Sequence, residues 1–277
     1  MRTAYKIAGA RLAYNCISFA REFVGKTDKV TVKRRGIVWE LDLAEGIDLA
    51  IFLFGAYEWR TINLYKKLLK PGSCVIDVGA NIGSHTLPLA EIVGDGGKVI
   101  AFEPTEFAFR KLMRNVTLNP PLLERIELQQ AMIAATRSDS LESEIYSSWP
   151  LTTANDLHKQ HLGRLMTTAG AVAVTLDDAV ANRSLSKLDL IKLDVDGNEH
   201  HVLSGATKTL EKFRPAIVME FAPYLYRSED FENMILLLRG LGARVLDITR
   251  HRPLPLEPKA LAAAIPEGSS WNVLVQF

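Results

Sequence analysis

One segment restricts the fold of this chain more than any other, because it joins an apolar run, a glycine-containing turn and a second apolar run. Residues 74–78 are apolar except for Asp77 near their end, which is typical of a buried parallel strand. Gly79 and Gly83 follow at a spacing that permits a tight turn and the close approach of a ligand. Residues 86–93 have the length and apolar content of a helix. This order of strand, turn and helix predicts a ligand site at the first βα junction of a doubly wound sheet.

The turn differs from the dinucleotide pattern G-x-G-x-x-G in having Asn81 at the middle position. A pyrophosphate suits bare backbone N–H groups at a helix N-terminus. Asp77 and Asn81 beside the turn suit a cationic ligand better, since a carboxylate only accepts hydrogen bonds and an amide both donates and accepts. S-adenosylmethionine, with its ammonium, sulfonium and carboxylate groups, fits that description. The alternative is an ordinary βα turn in which Asn81 adopts the left-handed conformation.

A second acid stands in a comparable place. Glu103 follows the apolar run 98–102 and lies twenty positions after Gly83, where a carboxylate binds ribose hydroxyls in such folds. It also precedes a predicted helix over 105–116, whose N-terminus favours negative charge. The two roles are compatible, and two strands that each end in an acid strengthen the prediction of a cofactor site.

Length, charge and cysteine content limit the class of protein. The 277 residues suit one large α/β domain, which we place at 56–277, with an appendage of helix and hairpin at 1–55. A net charge of +1 gives no electrostatic reason to expect a nucleic-acid partner. Cys16 and Cys74 are the only cysteines, so neither a disulfide framework nor a cysteine-rich zinc site can form. Without a long apolar run, we expect a cytoplasmic protein with no membrane span.

The first segment has the pattern of an amphipathic helix over 3–24. Its apolar stripe consists of Tyr5, Ala8, Leu12, Cys16, Phe19 and Phe23. We favour a helix that docks on its own domain. The alternatives are a contact between copies in a homo-oligomer, a lid over the substrate, or peripheral attachment to a membrane surface. Alternating residues over 30–43, with a basic turn, predict a hairpin.

The remaining pattern completes an open sheet. We predict further strands over 125–130, 188–194, 216–220, 243–248 and 271–277. The strand over 125–130 could extend through 131–135. Helices are predicted over 57–69, 199–213 and 229–239. A Pro-rich loop joins the last two strands. Residues 136–171 are irregular, and we interpret them as an insertion that covers the active site or as a loose surface excursion. The sheet should be parallel except for its last strand.

The motifs at 77–83, 103–104, 191–199 and 202–206 resemble those of the FkbM-type methyltransferases, over residues from about 57 to 277. The resemblance implies a Rossmann-like class I methyltransferase fold, with a seven-stranded, mostly parallel sheet and helices on both faces. It implies S-adenosylmethionine as cofactor and O-methylation of a hydroxyl on a small molecule, sugar or glycan. The family usually has Asp-Val-Glu-Gly where this chain has Asp194-Val195-Asp196-Gly197. The side chain of Asp196 is one methylene shorter than that of glutamate, so its carboxylate reaches less far from the backbone.

Together, the motifs and the resemblance predict a set of site residues. The predicted cofactor-binding residues are Asp77, Gly79, Ala80, Asn81, Gly83, Thr86, Glu103, Pro104, Ala131 and Asp194. Transfer to an alcohol requires a base within hydrogen-bond reach. The predicted candidates are Asp194 first, His200 or His201 second, and Glu220. Asp194, Asp196 and Glu220 could also hold Mg²⁺, although we do not expect a metal site.

Two other classes of protein remain open from the residues alone. An NAD(P)-dependent oxidoreductase would share the fold but would need the third glycine and a Tyr-x-x-x-Lys pair. A non-catalytic cofactor-binding protein would keep Asp77 and Glu103 while lacking a usable base.

Overall fold

The computed structural model describes residues 3–139, 141–152, 157–158, 162–266 and 268–277. The strands are β1 (Lys29–Arg34), β2 (Ile37–Asp42), β3 (Cys74–Val78), β4 (Lys98–Phe102), β5 (Ile126–Gln129), β6 (Ala131–Ile133), β7 (Glu144–Ser147), β8 (Arg164–Thr167), β9 (Val172–Val174), β10 (Leu190–Leu193), β11 (Ala216–Phe221), β12 (Arg244–Asp247), β13 (Arg252–Leu254) and β14 (Trp271–Gln276). The helices are α1 (Thr3–Phe23), α2 (Gly46–Phe54), α3 (Trp59–Leu68), α4 (Thr86–Val93), α5 (Glu106–Thr117), α6 (Pro120–Leu123), α7 (Leu176–Ala181), α8 (Glu199–Ser204), α9 (Thr207–Phe213), α10 (Ser228–Gly240) and α11 (Pro258–Ala264).

The central sheet has the order β13-β12-β14-β11-β10-β3-β4-β5. Strands β5, β4, β3, β10 and β11 are mutually parallel, and β14 runs antiparallel to both β11 and β12. The predicted α/β fold with a mostly parallel sheet is therefore confirmed. The sheet has eight strands because β13, within the Pro-rich loop, pairs antiparallel with β12. Pro253 is tolerated there because β13 is an edge strand.

The alternation of side chains along each strand divides the core into two layers. On β3, Cys74, Ile76 and Val78 pack in one apolar cluster with residues of α7 to α11. Val75 belongs to the opposite cluster, which includes residues of α1 to α6. Helices thus cover both faces, as the fold class requires. The register places Lys192 of β10 beside Asp77 of β3 on this second face.

Residues 7–54 pack on the second face and add to its core. Trp39, Leu41 and Leu43 are almost fully buried and share their cluster with Val75 and Leu87. The β1–β2 hairpin forms as predicted. These residues extend the core of the sheet, and the assignment of 1–55 as a separate appendage stays a prediction.

Helix α1 forms as predicted, but the expectation that its apolar stripe docks inward is wrong. Among the described side chains of α1, Ile7 and Tyr14 are buried, and Tyr14 donates a hydrogen bond of 2.8 Å to Asp28 Oδ2. Leu12, Phe19 and Phe23 are 68%, 74% and 85% exposed. The stripe therefore faces away from the domain, because the opposite face of the helix has the side chains that reach the core.

Three further local predictions need correction. Residues 131–133 do not extend β5 but form β6, which pairs parallel with β9. The insertion contains a regular antiparallel hairpin, β7–β8. The helix predicted over 199–213 is divided into α8 and α9 at Gly205, where a Cβ atom would lie 2.2 Å from the carbonyl oxygen of Ala134. That close contact requires glycine and interrupts the helix.

Candidate active site

A cavity of about 550 Å³ lies at the carboxyl ends of β3, β4 and β10. The chain proceeds from β3 to β4 and β5 on one side and resumes with β10 and β11 on the other. The cavity therefore lies at the switch point of the sheet, where open α/β folds bind ligands. Its volume is in the range of small-molecule and cofactor sites.

The turn after β3 is held by the acid that ends β4. Asn81 has a positive φ of 49°, and its backbone N–H donates a hydrogen bond of 2.9 Å to Glu103 Oε2. Glu103 Oε1 accepts from the backbone N–H and hydroxyl of Thr105, at 2.9 and 2.5 Å. Glu103 is 3% exposed and lies in the cavity wall. Because Oε2 accepts only the hydrogen bond from Asn81 here, its second lone pair can still accept from a ligand hydroxyl.

The predicted cofactor residues divide into two groups. Six line the cavity: Gly79, Asn81, Glu103, Pro104, Ala131 and Asp194. The other four are buried outside its lining: Asp77, Ala80, Gly83 and Thr86. Asp77 Oδ2 accepts a hydrogen bond of 2.6 Å from Thr86 Oγ1, which ties β3 to the start of α4. The second group supports the turn, and direct contact of its members with a cofactor stays a prediction.

Lys192 is a site residue to which the sequence analysis gave no role. Its side chain is 5% exposed, and its Nζ donates a hydrogen bond of 2.9 Å to the carbonyl oxygen of Gly79. The same Nζ lies 3.6 Å from Asp77 Oδ1 and 3.7 Å from Asp194 Oδ2. Burial opposes its charge, but Asp194 and Asp77 outweigh burial and raise the pKa of Lys192 above its usual value. Lys192 therefore places a buried positive charge in the cavity wall between two carboxylates.

Gly79 brings the turn after β3 against the loop after β10. It has a φ of 78°, and a Cβ atom here would lie 1.9 Å from the carbonyl oxygen of Asp194. The Asp194 N–H donates a hydrogen bond of 3.2 Å to the carbonyl oxygen of Val78. Asp194 is thereby fixed at the cavity, with 37% of its side chain exposed.

The loop that follows Asp194 is organised by Glu199 at the start of α8. Glu199 is 2% exposed and accepts hydrogen bonds from the backbone N–H groups of Val195 and Gly197, at 3.0 and 3.1 Å. Burial raises the pKa of Glu199 from 4.5 to about 7, although the hydrogen bond from Val195 opposes that shift. Burial, together with the nearby charge of Asp194, also raises the pKa of Asp196 well above its usual value.

We expect Glu199 to make stability depend on pH. Because its pKa is higher in the folded state, the stabilisation from its bound proton is complete below pH 4.5 and is lost as pH rises through about 7. The loss is on the order of 3 kcal/mol. Thermal unfolding of Glu199→Gln across this window should show a flatter pH profile than the parent. Glu229→Gln, at an exposed acid in α10, is the matched control; equal slopes for all three proteins would contradict the assignment.

The candidate bases occupy different places. Asp194 and His201 lie in the cavity wall, whereas His200 and Glu220 are outside its lining. His200 Nδ1 is directed to α10, 3.4 Å from Asp230 Oδ1. The Glu220 carboxylate accepts a hydrogen bond from the Ser270 hydroxyl. Burial, and then the charge of Asp194, raises the pKa of Glu220 well above its usual value. Of the predicted bases, Asp194 and His201 therefore face the cavity.

A group around His85 was also missed from the sequence. His85 and Tyr57 line the cavity with their rings 6.0 Å apart and nearly perpendicular. The His85 Nδ1 lies 3.2 Å from the Tyr65 hydroxyl, and its Nε2 has no hydrogen-bond partner among the described residues. Burial, followed by the charge of Lys192, lowers the pKa of His85 well below its usual value, so the ring is neutral. The 3.8 Å approach of Nε2 to Glu58 is consequently not an ion pair.

The insertion forms part of the cavity wall. Ile145 and Tyr146 of β7 line it, and Trp149 stands 6.2 Å from the ring of Tyr57. At the start of β8, Arg164 lies 2.9 Å from Glu45 Oε1, an ion pair that joins the hairpin to the segment before α2. The described part of the insertion thus contributes to the cavity wall, and its role in binding substrate stays a prediction.

The described ranges contain no group of three or more His, Cys, Asp or Glu side chains placed to hold a metal ion. Asp194, Asp196 and Glu220 are thus not among side chains grouped for a metal ion in these ranges, and the absence of Mg²⁺ stays a prediction. Within the same ranges, no helix combines the length and apolar character needed to cross a bilayer.

Comparison with known proteins assigns this geometry to a family. Residues 77–245, more than half of the chain, match the model described as the methyltransferase FkbM domain. The hexuronic acid methyltransferase AglP of Haloferax volcanii is 30% identical over 164 residues, which are 58% of this chain and 61% of AglP. This chain thus spans about three fifths of the length of AglP. The 2-O-methyltransferase NoeI of Sinorhizobium fredii is 27% identical over 220 residues, or 76% of this chain and 81% of NoeI.

A solved methyltransferase FkbM from Methylobacillus flagellatus overlaps 78% of this chain and 50% of its own, at 16% identity and a TM-score of 0.40. A similarity this weak supports no functional assignment. Any assignment of function therefore depends on the match to the family model.

Proposed function

The chain belongs to the FkbM methyltransferase family, and we propose that it uses S-adenosylmethionine to methylate a hydroxyl group on a small molecule, sugar or glycan. The observation that carries this proposal is the cavity at the switch point, with Glu103 in one wall and Asp194 in the other. Family membership makes methyl transfer the reaction. The cofactor, the acceptor atom and the residues that act are inferred from the site.

The residues of the cavity fit S-adenosylmethionine. Glu103 offers a buried carboxylate to hydroxyl groups, and Asn81 offers an amide beside the turn. Phe102, Ala131 and Ile133 provide an apolar wall for a flat base. Asp194 adds a negative charge that favours an ammonium or sulfonium group. When bound, this cofactor would supply an electrophilic methyl group.

The chain's own residues would orient the acceptor and remove its proton. Methyl transfer is an in-line displacement, so positioning contributes much of the rate enhancement. Asp194 is the proposed base, because its partly exposed carboxylate faces the cavity at the end of β10. His85 is a second candidate, since its neutral ring has an Nε2 without a hydrogen-bond partner among the described residues.

Hydroxyl groups of sugars are the proposed acceptor class. Two relatives bear names that specify a hexuronic acid methyltransferase and a 2-O-methyltransferase. The wall formed by Tyr57 and Trp149 suits such an acceptor, because aromatic faces pack well against the apolar side of a ring. The cytoplasmic location and the absence of a nucleic-acid partner stay predictions.

We expect Glu103→Gln to weaken S-adenosylmethionine binding by about 1–3 kcal/mol, the scale for a hydrogen bond to a charged group. The amide keeps the shape of the side chain but removes its charge and one acceptor. Calorimetry with S-adenosylmethionine and with NAD measures the effect and tests the oxidoreductase alternative. Glu106→Gln, at the neighbouring acid on the surface of α5, is the control. Unchanged affinity in Glu103→Gln, or tighter binding of NAD by the parent, would overturn the cofactor assignment.

A further inference from the structure

The outward face of α1 is an apolar surface with no covering in the structure. Leu12, Phe19 and Phe23 are each at least two-thirds exposed, and Val24 after the helix is 60% exposed. We call these four residues the outer stripe. Monomeric proteins expose single apolar side chains commonly, but a row of large ones along one helix face indicates an interaction surface.

The position of α1 is set by its other face. Ile7 and Tyr14 are 7% and 9% exposed. Asp28 accepts hydrogen bonds from the hydroxyls of Tyr14 and Ser18, at 2.8 and 3.0 Å. With this face fixed to the domain, the outer stripe is presented to the surroundings. The last two residues of the neighbouring helix α2, Leu53 and Phe54, are also 42% and 70% exposed.

The charge of the chain segment that contains this surface is strongly one-sided. Residues 1–35 contain nine lysines and arginines and two acids, a net charge of +7, in a chain whose total is +1. Lys26, Lys29, Lys33 and Arg35 are exposed. Among the described residues, none of the basic side chains from Arg11 to Arg35 has an acid within ion-pair distance. Arg21 and Arg34 donate hydrogen bonds to backbone carbonyl oxygens, whereas the positive charge of the exposed lysines is available to an external partner.

A helix with exposed Leu and Phe on one side, set in a basic surrounding, has the composition of an interfacial helix. Anionic lipid attracts each nearby Lys or Arg by about 1 kcal/mol and accommodates aromatic side chains at the boundary of headgroups and acyl chains. A second copy of this chain would bring another +7 segment against the first, which like charges oppose. From the outer stripe and the basic side chains between Arg11 and Arg35, we propose that this face of α1 binds the surface of an anionic lipid bilayer.

The test uses the full-length chain with lipid vesicles. Sedimentation with vesicles of phosphatidylcholine and phosphatidylglycerol is compared with phosphatidylcholine alone, at about 0.1 M and about 1 M salt, where the Debye length falls from about 10 Å to about 3 Å. The variant is Leu12→Gln/Phe19→Gln/Phe23→Gln. The matched control is Met113→Gln/Leu123→Gln/Leu236→Gln, at three side chains that are 41–44% exposed on α5, α6 and α10.

We expect the parent and the control to bind anionic vesicles at low salt, with binding reduced by high salt and weak on neutral vesicles. The outer-stripe variant should bind at least about tenfold less. Its thermal unfolding should remain that of the parent, because the changed side chains lie on the exposed face.

Equal binding by the variant and the parent would overturn the proposal, as would equal binding to neutral and anionic vesicles. Sedimentation velocity supplies the other decisive result. A parent that forms dimers, a variant that is monomeric, and no vesicle binding by either would assign the outer stripe to contact between copies instead.

Discussion

Asp194→Asn should lower single-turnover methyl transfer by about 10²–10⁴ while leaving the melting temperature close to that of the parent. The amide keeps the size of the side chain but removes its charge and nearly all of its basicity. Asp194 is 37% exposed at the cavity, and β10 before it is held by buried Leu190, Ile191 and Leu193. The strand should therefore remain folded when the carboxylate is lost.

The opposite end of the same strand offers a matched control. Asp189 Oδ2 accepts a hydrogen bond of 2.7 Å from the backbone N–H of Cys74, far from the carboxyl ends of the strands. Asp189→Asn should lower the melting temperature with near-normal turnover per folded molecule. An Asp194→Asn variant that melts early yet transfers methyl at the parental rate would remove Asp194 as the base. In that case His85 and His201, which also face the cavity, would be tested next.

The parts of the site that follow from the sequence are those made by neighbours along the chain. Asp77, Gly79 and Asn81 are close together in one turn, and Glu103 ends the next strand. Their placement at one sheet edge follows from parallel pairing alone. Asn81 also adopts the left-handed conformation that the alternative interpretation required, and its role in binding a cofactor stays a prediction.

Contacts between residues that are distant along the chain could not be predicted from the sequence. Lys192 reads as an ordinary strand residue, and its ion-pair partner Asp77 is separated from it by 115 positions. Glu58 approaches His85 only because α3 packs beside α4. The position of His85 between the turn and the start of α4 could have indicated a site residue. The neighbouring sequence, however, does not show which side chains surround it.

Helix α1 shows that hydrophobic periodicity can predict a helix without predicting which face of it is buried. The apolar stripe was identified correctly, and a stripe normally marks the buried face. The same helix has a second set of suitable side chains, Ile7 and Tyr14, that face the core. Since both sets recur at helical spacing, the pattern could establish the helix but not which face docks.

Lys192→Met should destabilise the protein by about 3–5 kcal/mol, the scale for leaving one member of a buried ion pair without its partner. The long apolar side chain of Met occupies a similar volume but leaves Asp77, which is fully buried, without a countercharge. Burial already raises the pKa of Asp77, against the opposing effect of Lys192. Removing Lys192 should raise that pKa further, so the variant should lose stability as pH rises and recover part of it in acid.

A double-mutant cycle separates this structural effect from a catalytic one. In Asp77→Asn/Lys192→Met the buried charge is absent, so the melting temperature should lie above that of Lys192→Met and vary less with pH. Lys187→Met, at an exposed lysine before β10, should behave like the parent. If Lys192→Met unfolds at the parental temperature but transfers methyl slowly, the ammonium acts mainly on the reactants. If it unfolds early and the double variant restores stability without turnover, Lys192 does both, holding Asp77 in the core and presenting its charge to the cavity.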